Sequence, residues 1–403
     1  MEEAIRNPSL DFARDTEPVE GQSAMMFDAQ MEVVPPLSDE QLLKVPAKRG
    51  VLLLTGEDGR PIVLLSAADI RGRIKTRLAE PPAEHLGKAP DLRAITHRIL
   101  WRLSSSYFET DLHYLQLARL IWPAEYPRLL SWRPAWFVHI NPVERFPHFS
   151  RTSDVGQASG QYFGPFENGR SAERFISAIV DAFRLCRDVR CLRQSPNATR
   201  CSYGQMGRCL SPCDGTISMD AYRLAIAEAA NFAAGHRQAM RDDIQQSMKQ
   251  AAVQLQFEKA SALKAQLERL REFDREEYQY VAPLADFKFL IIQQGASSRR
   301  VRVFFAAGGS ISALGETEYP QLSQLADILA KATELSEAPD FSAASKWPVA
   351  LVSHYLYVSP QRRGLILRYR EGLSVEDVAS GIEESAEALH LKKPAASLFN
   401  RHA

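Results

Sequence analysis

Apolar positions recur along this chain in distinct rhythms, and each rhythm predicts a different element. Near the start, "GVLLLTGEDGRPIVLLS" (50–66) sets two apolar runs on either side of a turn with Asp58-Gly59 and Pro61, the pattern of a β-hairpin. The following "AADIRGRIKTRL" puts Ile70, Ile74 and Leu78 on one face at helical spacing, with Arg71, Arg73, Lys75 and Arg77 on the other. Further helices are expected from about Leu92 to Leu103 and from about Asp111 to Trp122, the second stopped by Pro123. Residues Ala135–Ile140 read as a strand and "GQYFGPFENG" (160–169) as loop. Ser171 reads as the N-cap of a helix with Phe175, Ile176, Ile179, Val180 and Phe183 on one face, which delivers Arg184 and Cys186 at its end.

From Ser218 to about Glu272 the chain is rich in Ala, Glu, Gln, Lys and Leu, with one glycine (Gly235) and no proline, which predicts two or three antiparallel helices. Beyond Tyr280, "FKFLIIQQ" and "RRVRVFFAAGG" read as strands, followed by helices around Leu322–Lys331 and Val375–Ala388. The fold class expected is α/β in the α+β sense: a small mixed sheet with helices, a cysteine loop, a helical hairpin and a short α/β region at the end.

Composition narrows the class. A length of 403 residues allows two or three domains, and 45% apolar with 24% charged residues is ordinary for a soluble globular protein. No basic segment followed by an apolar one opens the chain, and no apolar run reaches eighteen residues, so a cytoplasmic protein with no membrane partner is expected. The zero net charge hides asymmetry. Residues 1–43 carry ten acids against Arg6 and Arg14, and read as a solvated acidic tail to about residue 47. Arg184 to Arg208 holds six arginines and one acid, a basic patch suited to a polyanion such as nucleic acid.

All five cysteines fall in or just after that basic stretch: Cys186, Cys191, Cys201, Cys209 and Cys213. In a reducing compartment, clustered cysteines point to a metal or redox centre rather than to disulfides. There is no paired C-x2-C knuckle, so four thiolates could serve an iron–sulfur cluster as well as zinc. Gly204 and Gly207 permit tight turns, and the surrounding arginines favour thiolates.

"YFGPF" (162–166), the helix ending "FRLC" (183–186), and Cys201, Gly207, Arg208, Cys209, Pro212 and Cys213 together resemble the UvrC family of bacterial nucleotide excision repair. The resemblance implies a 4Fe-4S cluster held by Cys186, Cys201, Cys209 and Cys213, with Cys186 chosen over Cys191 by the family pattern. "AAVQLQFEKASALKAQLERL" (251–270) is similar to the UVR motif, a helical hairpin that binds UvrB, through Leu255, Phe257, Glu258, Ala260, Ala262, Leu263 and Leu267. Phe257, Ala260, Leu263 and Leu267 also form an apolar stripe in their own right.

Residues 49–78 align with the GIY-YIG nuclease domain, with departures. Leu52 and Val63 stand at the two tyrosine positions, Leu65 at a glycine, and Leu117 near the metal-binding acid; only Arg73 is retained. Cleavage of a phosphodiester needs a Lewis acid and a proton acceptor, which leucine and valine do not supply. The domains expected are an acidic tail (1–47), a degenerate GIY-YIG-like domain (48–135), the YFGPF and cysteine region (136–217), a helical region with the UVR motif (218–277), and a truncated RNase H-like remnant with helices (278–403). The function implied is that of a non-cutting accessory factor which binds DNA and a UvrB-type helicase subunit, with no small-molecule substrate. Arg71, Arg73, Lys75, Arg77, Arg200 and Arg208 are the candidate DNA contacts. Two alternatives stand beside it. One is an active Mg²⁺- or Mn²⁺-dependent endonuclease using Glu109 or Asp111 with Tyr107 or Tyr114. The other is a redox-responsive DNA-binding module.

Overall fold

The first apolar hairpin forms where its pattern places it, and its sheet is completed by two segments that the pattern did not mark as strands. The computed structural model describes residues 26–34, 38–78, 92–156, 159–337 and 341–392. Strands β1 (Ala29–Glu32), β2 (Gly50–Thr55), β3 (Pro61–Ala67) and β4 (Arg98–Leu103) form an antiparallel sheet in the order β1-β4-β2-β3. Helices α1 (Asp39–Leu43), α2 (Ile70–Arg77) and α3 (Leu92–Ile95) belong to the same unit.

Strand β4 corrects the helix expected over 92–103, of which only α3 is helical. Its residues alternate between two cores: Ile99 and Trp101 join Leu52, Leu54 and Val63, while Leu100 joins Val51, Leu53 and Leu64. A central strand buried on both faces is apolar throughout, so periodicity alone does not separate it from a helix.

The acidic-tail reading is likewise corrected over its described part; residues 1–25 and 35–37 lie outside the described residues. Strand β1 pairs with β4 from Ala29↔Trp101 to Glu32↔Arg98, and Ser38 closes a capping box with Gln41 at the start of α1. Val33, Leu42 and Val45 enter the core while Asp28, Glu32, Asp39 and Glu40 stay exposed. A few apolar side chains suffice to anchor an otherwise charged segment.

Helix α4 (Tyr107–Ile121) starts at Ser106, whose hydroxyl accepts the Glu109 amide, and serves two cores. Leu117 and Ala118 pack on the first sheet, whereas Phe108, Leu112 and Leu115 face the C-terminal part of the chain. The short α5 (Tyr126–Leu129) follows.

The middle unit is built on β5 (Trp136–Ile140), β6 (Ser150–Thr152) and β7 (Gln161–Phe166), with α6 (Gly169–Ala182) packed against them. Strand β7 is the segment expected to be loop. Gly164 is required there because a Cβ would lie 2.6 Å from the Phe137 ring, so the glycine marks close packing rather than a turn. Asn168, not Ser171, caps α6; Ser171 is buried and donates its hydroxyl to Glu277 at 2.5 Å. The apolar face of α6 forms as expected, with Phe175 stacked edge-on against Phe166, Phe273 and Tyr278.

After the short α7 (Val189–Leu192) and α8 (Ser202–Gln205) come three helices, α9 (Met219–Ala233), α10 (Arg237–Val253) and α11 (Phe257–Leu270). Gly235 breaks α9 from α10 at φ 108°, a conformation that favours glycine. The two-residue strand β8 (Ala282–Pro283) then pairs with β7.

The C-terminal unit holds β9 (Phe289–Gln294), β10 (Arg300–Ala307), β11 (Ser310–Glu318), α12 (Leu325–Ser336), α13 (Lys346–Leu356), α14 (Pro360–Arg363), β12 (Leu365–Arg368) and α15 (Val375–Glu384). Its sheet runs β11-β10-β9-β12, antiparallel throughout. One face packs on α12 and α15 and the other on α13 and α4. Among the described residues no helix is long and apolar enough to cross a membrane.

Candidate functional site

The cysteine loop starts where α6 ends. Arg184 adopts φ 55°, turning the chain so that Cys186 is buried, and its Nε donates to the Gly207 carbonyl at 2.9 Å. Helix α9 fixes the same point from below: the buried Tyr222 hydroxyl accepts the Cys186 amide at 3.1 Å. The far end is held by Leu210 N–H to the Arg184 carbonyl (2.8 Å) and Ser195 Oγ to the Pro212 carbonyl (2.6 Å). Gly207 supplies a turn at φ 66°, as expected, whereas Gly204 serves close approach, since a Cβ there would lie 2.4 Å from Ser211 Oγ.

These ties bring the thiols into one neighbourhood. Cys186 and Cys209 are hydrogen-bonded to each other, and Cys213 has Cys209, Cys201 and Cys191 as electrostatic neighbours. Of the first pair, Cys209 is the one whose surroundings favour the thiolate. The bond from Cys186 brings it down to about 6 against the opposing effect of burial, and the Ser211 amide (3.3 Å) and Arg184 help. The same bond and burial push Cys186 up. Among the described residues no three Cys, His, Asp or Glu side chains close on one point as a lone ion requires. The donor chemistry fits a thiolate-ligated centre: Cys186, Cys209 and Cys213 are buried, Cys191 and Cys201 half-buried, in a basic surround.

The arginines of the loop are largely engaged. Arg200 binds Asp214 and Thr216, and Arg187 and Arg208 share Asp181. Over residues 181–214 six arginines face three acids (Asp181, Asp188 and Asp214), which leaves a net charge of +3. On α2 the four basic side chains differ in kind. Arg71 is a structural clamp, its Nε on the Val45 carbonyl (2.5 Å) and Nη2 on the Leu43 carbonyl (3.1 Å), which ties α2 to the end of α1. Burial, and then the neighbouring Arg73, pull the Arg77 pKa down. Arg73 and Lys75 are exposed and available to a phosphate.

The positions aligned with a nuclease site do not meet. Leu52 and Val63 lie on the α2 side of the first sheet and Leu117 on the α4 side, all completely buried. The alternative acids are committed elsewhere. Glu109 is buried and ion-paired with Arg302 of β10, and Asp111 accepts the Tyr355 hydroxyl at 2.7 Å. Burial pushes Tyr114 up to about 12.

Helices α10 and α11 form the expected hairpin. Its base is fixed: Leu270 is fully buried, and Arg241 donates to the Leu270 carbonyl (2.8 Å) and to Asp274 (2.7 Å). Its tip is exposed and apolar. Leu255, at φ 59°, turns the corner with 72% of its surface free, beside Phe257 at 66% and Val253 at 83%. Glu258 is exposed, and Ala260, Leu263 and Leu267 are half-buried. Val253 was not singled out from the sequence, although an apolar residue beside the Leu255 corner was the available signal.

A small α/β unit leads into a thiol-rich loop of net positive charge and then into a helical arm with an exposed apolar tip. Parts of this arrangement are similar to known proteins. Residues 135–232 match the family model described as UvrC/Cho excinuclease, middle domain. The chain is 24% identical to UvrABC system protein C of Moorella thermoacetica over 275 residues, covering 68% of this chain and 44% of the relative. It is 25% identical to the protein of the same name from Syntrophomonas wolfei (68% and 45% covered) and to that from Methanothermobacter thermautotrophicus (67% and 45%). The chain is thus similar, at low identity and over about two-thirds of its length, to proteins named UvrABC system protein C, and it spans less than half the length of these relatives. No solved structure matches it.

Proposed function

We propose that this protein is a UvrC-like factor of nucleotide excision repair that binds DNA and a UvrB-type helicase subunit without cutting DNA itself. The observation that carries the non-cutting part is the burial of Leu52, Val63 and Leu117 on opposite faces of one sheet. Read as a degenerate GIY-YIG domain, the first unit keeps Arg73 as a phosphate contact and has no base or metal ligand at the aligned positions. Arg73, Lys75 and the net-positive cysteine loop, with Arg200 and Arg208, give salt-dependent contacts to phosphates with little sequence preference.

Cys186, Cys201, Cys209 and Cys213 would hold a 4Fe-4S cluster, with zinc as the other metal that four thiolates suit. Such a centre would fix the loop and its arginines in place. The α10–α11 arm, read as a UVR motif, would offer Leu255, Phe257, Glu258, Ala260, Leu263 and Leu267 to the partner, with Phe257 as the anchor.

The test is an incision assay on lesion-bearing duplex, with UvrA and UvrB, Mg²⁺ or Mn²⁺, and anaerobically purified protein beside a UvrC that cuts. Binding of DNA and UvrB without incision is expected. Incision that Arg73→Ala abolishes would overturn the non-cutting reading. Iron, sulfide and zinc analysis of the same preparation decides the cluster: bound iron with sulfide, lost in Cys213→Ser, is expected.

A further inference from the structure

Arg49 and Arg362 are distant in sequence and unused in the reading above, yet the fold puts both on one aromatic ring. Their guanidinium carbons lie 3.8 Å and 5.0 Å from the centroid of Tyr107. Arg49 stands just before β2 and Arg362 on α14, so the first and C-terminal units each contribute one charge.

Neither guanidinium has a hydrogen bond or ion pair among the described residues. Nearby arginines are consumed: Arg302 by Glu109 and Glu316, Arg300 by Glu316 and Glu318, Arg363 by Tyr280 and the Leu356 carbonyl. Asp111 feels both charges, but it lies largely buried with its carboxylate on Tyr355, and it makes no ion pair with either. Two like charges without an ion-pair partner repel, and a bound anion would offset that cost.

The space for one exists. Arg49, Tyr107 and Arg362 line a cavity of about 210 Å³, with Ser105, Gln294 and Gln361 among its other walls. That is below the roughly 300–1,000 Å³ of pockets that take whole small molecules, and suits one small anionic group. Paired guanidiniums are matched to phosphate oxygens in charge and in the direction of their N–H groups.

We propose that this cavity binds a phosphodiester of the DNA backbone, held between Arg49 and Arg362 across the seam of the first and C-terminal units. The assignment of the phosphate to DNA rests on the functional reading above; the phosphate chemistry does not.

The test uses the full chain and a labelled lesion-free duplex, with affinity measured across a salt series. The Arg49→Gln/Arg362→Gln double variant should bind several-fold more weakly. Its slope of log affinity against log salt should be shallower by about 0.9, the change expected for one lost phosphate contact. Arg49→Lys/Arg362→Lys should keep the slope, which separates lost charge from damaged folding. A Gln variant with unchanged slope and affinity overturns the proposal. If the wild type binds no duplex, the functional reading fails, and thermal unfolding with inorganic phosphate judges the cavity alone. A rise in Tm that the Gln variant loses supports a free-phosphate site, and no rise overturns the cavity as an anion site.

Discussion

His113 shows how a single side chain records its surroundings. It is 7% exposed on α4, its Nδ1 has no hydrogen-bond partner among the described residues, and burial, reinforced by Arg102 and Arg302, drives its pKa down to about 3. The imidazole is therefore neutral, and its 4.0 Å approach to Glu109 is not an ion pair. On unfolding it regains an ordinary value near 6.5, so the unfolded chain binds a proton that the folded chain refuses. The sign follows. This contribution to stability is whole above pH 6.5 and is lost as the pH falls towards 3, at up to about 1.4 kcal/mol per pH unit. Urea titrations at pH 7 and pH 5 should differ by about 2 kcal/mol on this account, and His113→Gln should remove that part of the difference. An equal difference in the variant would assign the effect to other groups.

At the scale of elements, the α10–α11 arm separates stability from binding. Phe257 is 66% exposed, so Phe257→Ala should change folding stability by no more than about 0.5 kcal/mol. Capture of a UvrB-type partner should fall by tenfold or more if Phe257 is the anchor, as for a hot-spot aromatic worth about 2 kcal/mol; co-sedimentation of the two proteins reads it out. Leu270→Ala, at the fully buried base, should instead cost about 2–5 kcal/mol of stability. This arm was legible in the sequence because its helices are long and rich in strong helix formers, and its corner residues are apolar where solvent would favour polar ones. The cysteine loop was legible too, since residue type and spacing survive without knowledge of the fold. Strands β4 and β7 were not. The first is apolar on both faces because neighbours cover both, and the second carries Gly164 to clear Phe137. Each depends on what packs against it, which a local window does not contain. For the same reason the sequence did not reveal that Arg71 is consumed by the Leu43 and Val45 carbonyls at and just beyond the end of α1, or that Leu117 lies across the sheet from Val63.

For the whole molecule the decisive element is α4. Phe108 is fully buried between Phe304 and Tyr355, with ring centroids 5.4 Å and 5.1 Å away, while Leu117 of the same helix is fully buried under the first sheet. Removing the ring in Phe108→Ala should cost about 3–5 kcal/mol. If the two units are coupled through this helix, the parent should unfold in one transition, and in the variant that transition should split in two or move lower as a whole. Calorimetry distinguishes these from an undisturbed melt, which would mean that the contact contributes little.

A helix with one owner can be moved with its domain; α4 has two. Anyone dividing this gene would find an inviting boundary near residue 135, where the first unit ends along the chain. A fragment cut there would carry Phe108, Leu112 and Leu115 into water, and the complementary fragment would lack the wall on which β9 and β10 close. The practical unit of expression, of mutational scanning and of inheritance is therefore the full span from β1 to α15, and complementation by separately produced halves should require that they find each other through this helix and the Tyr126, Leu130 and Trp132 side chains packed beside it.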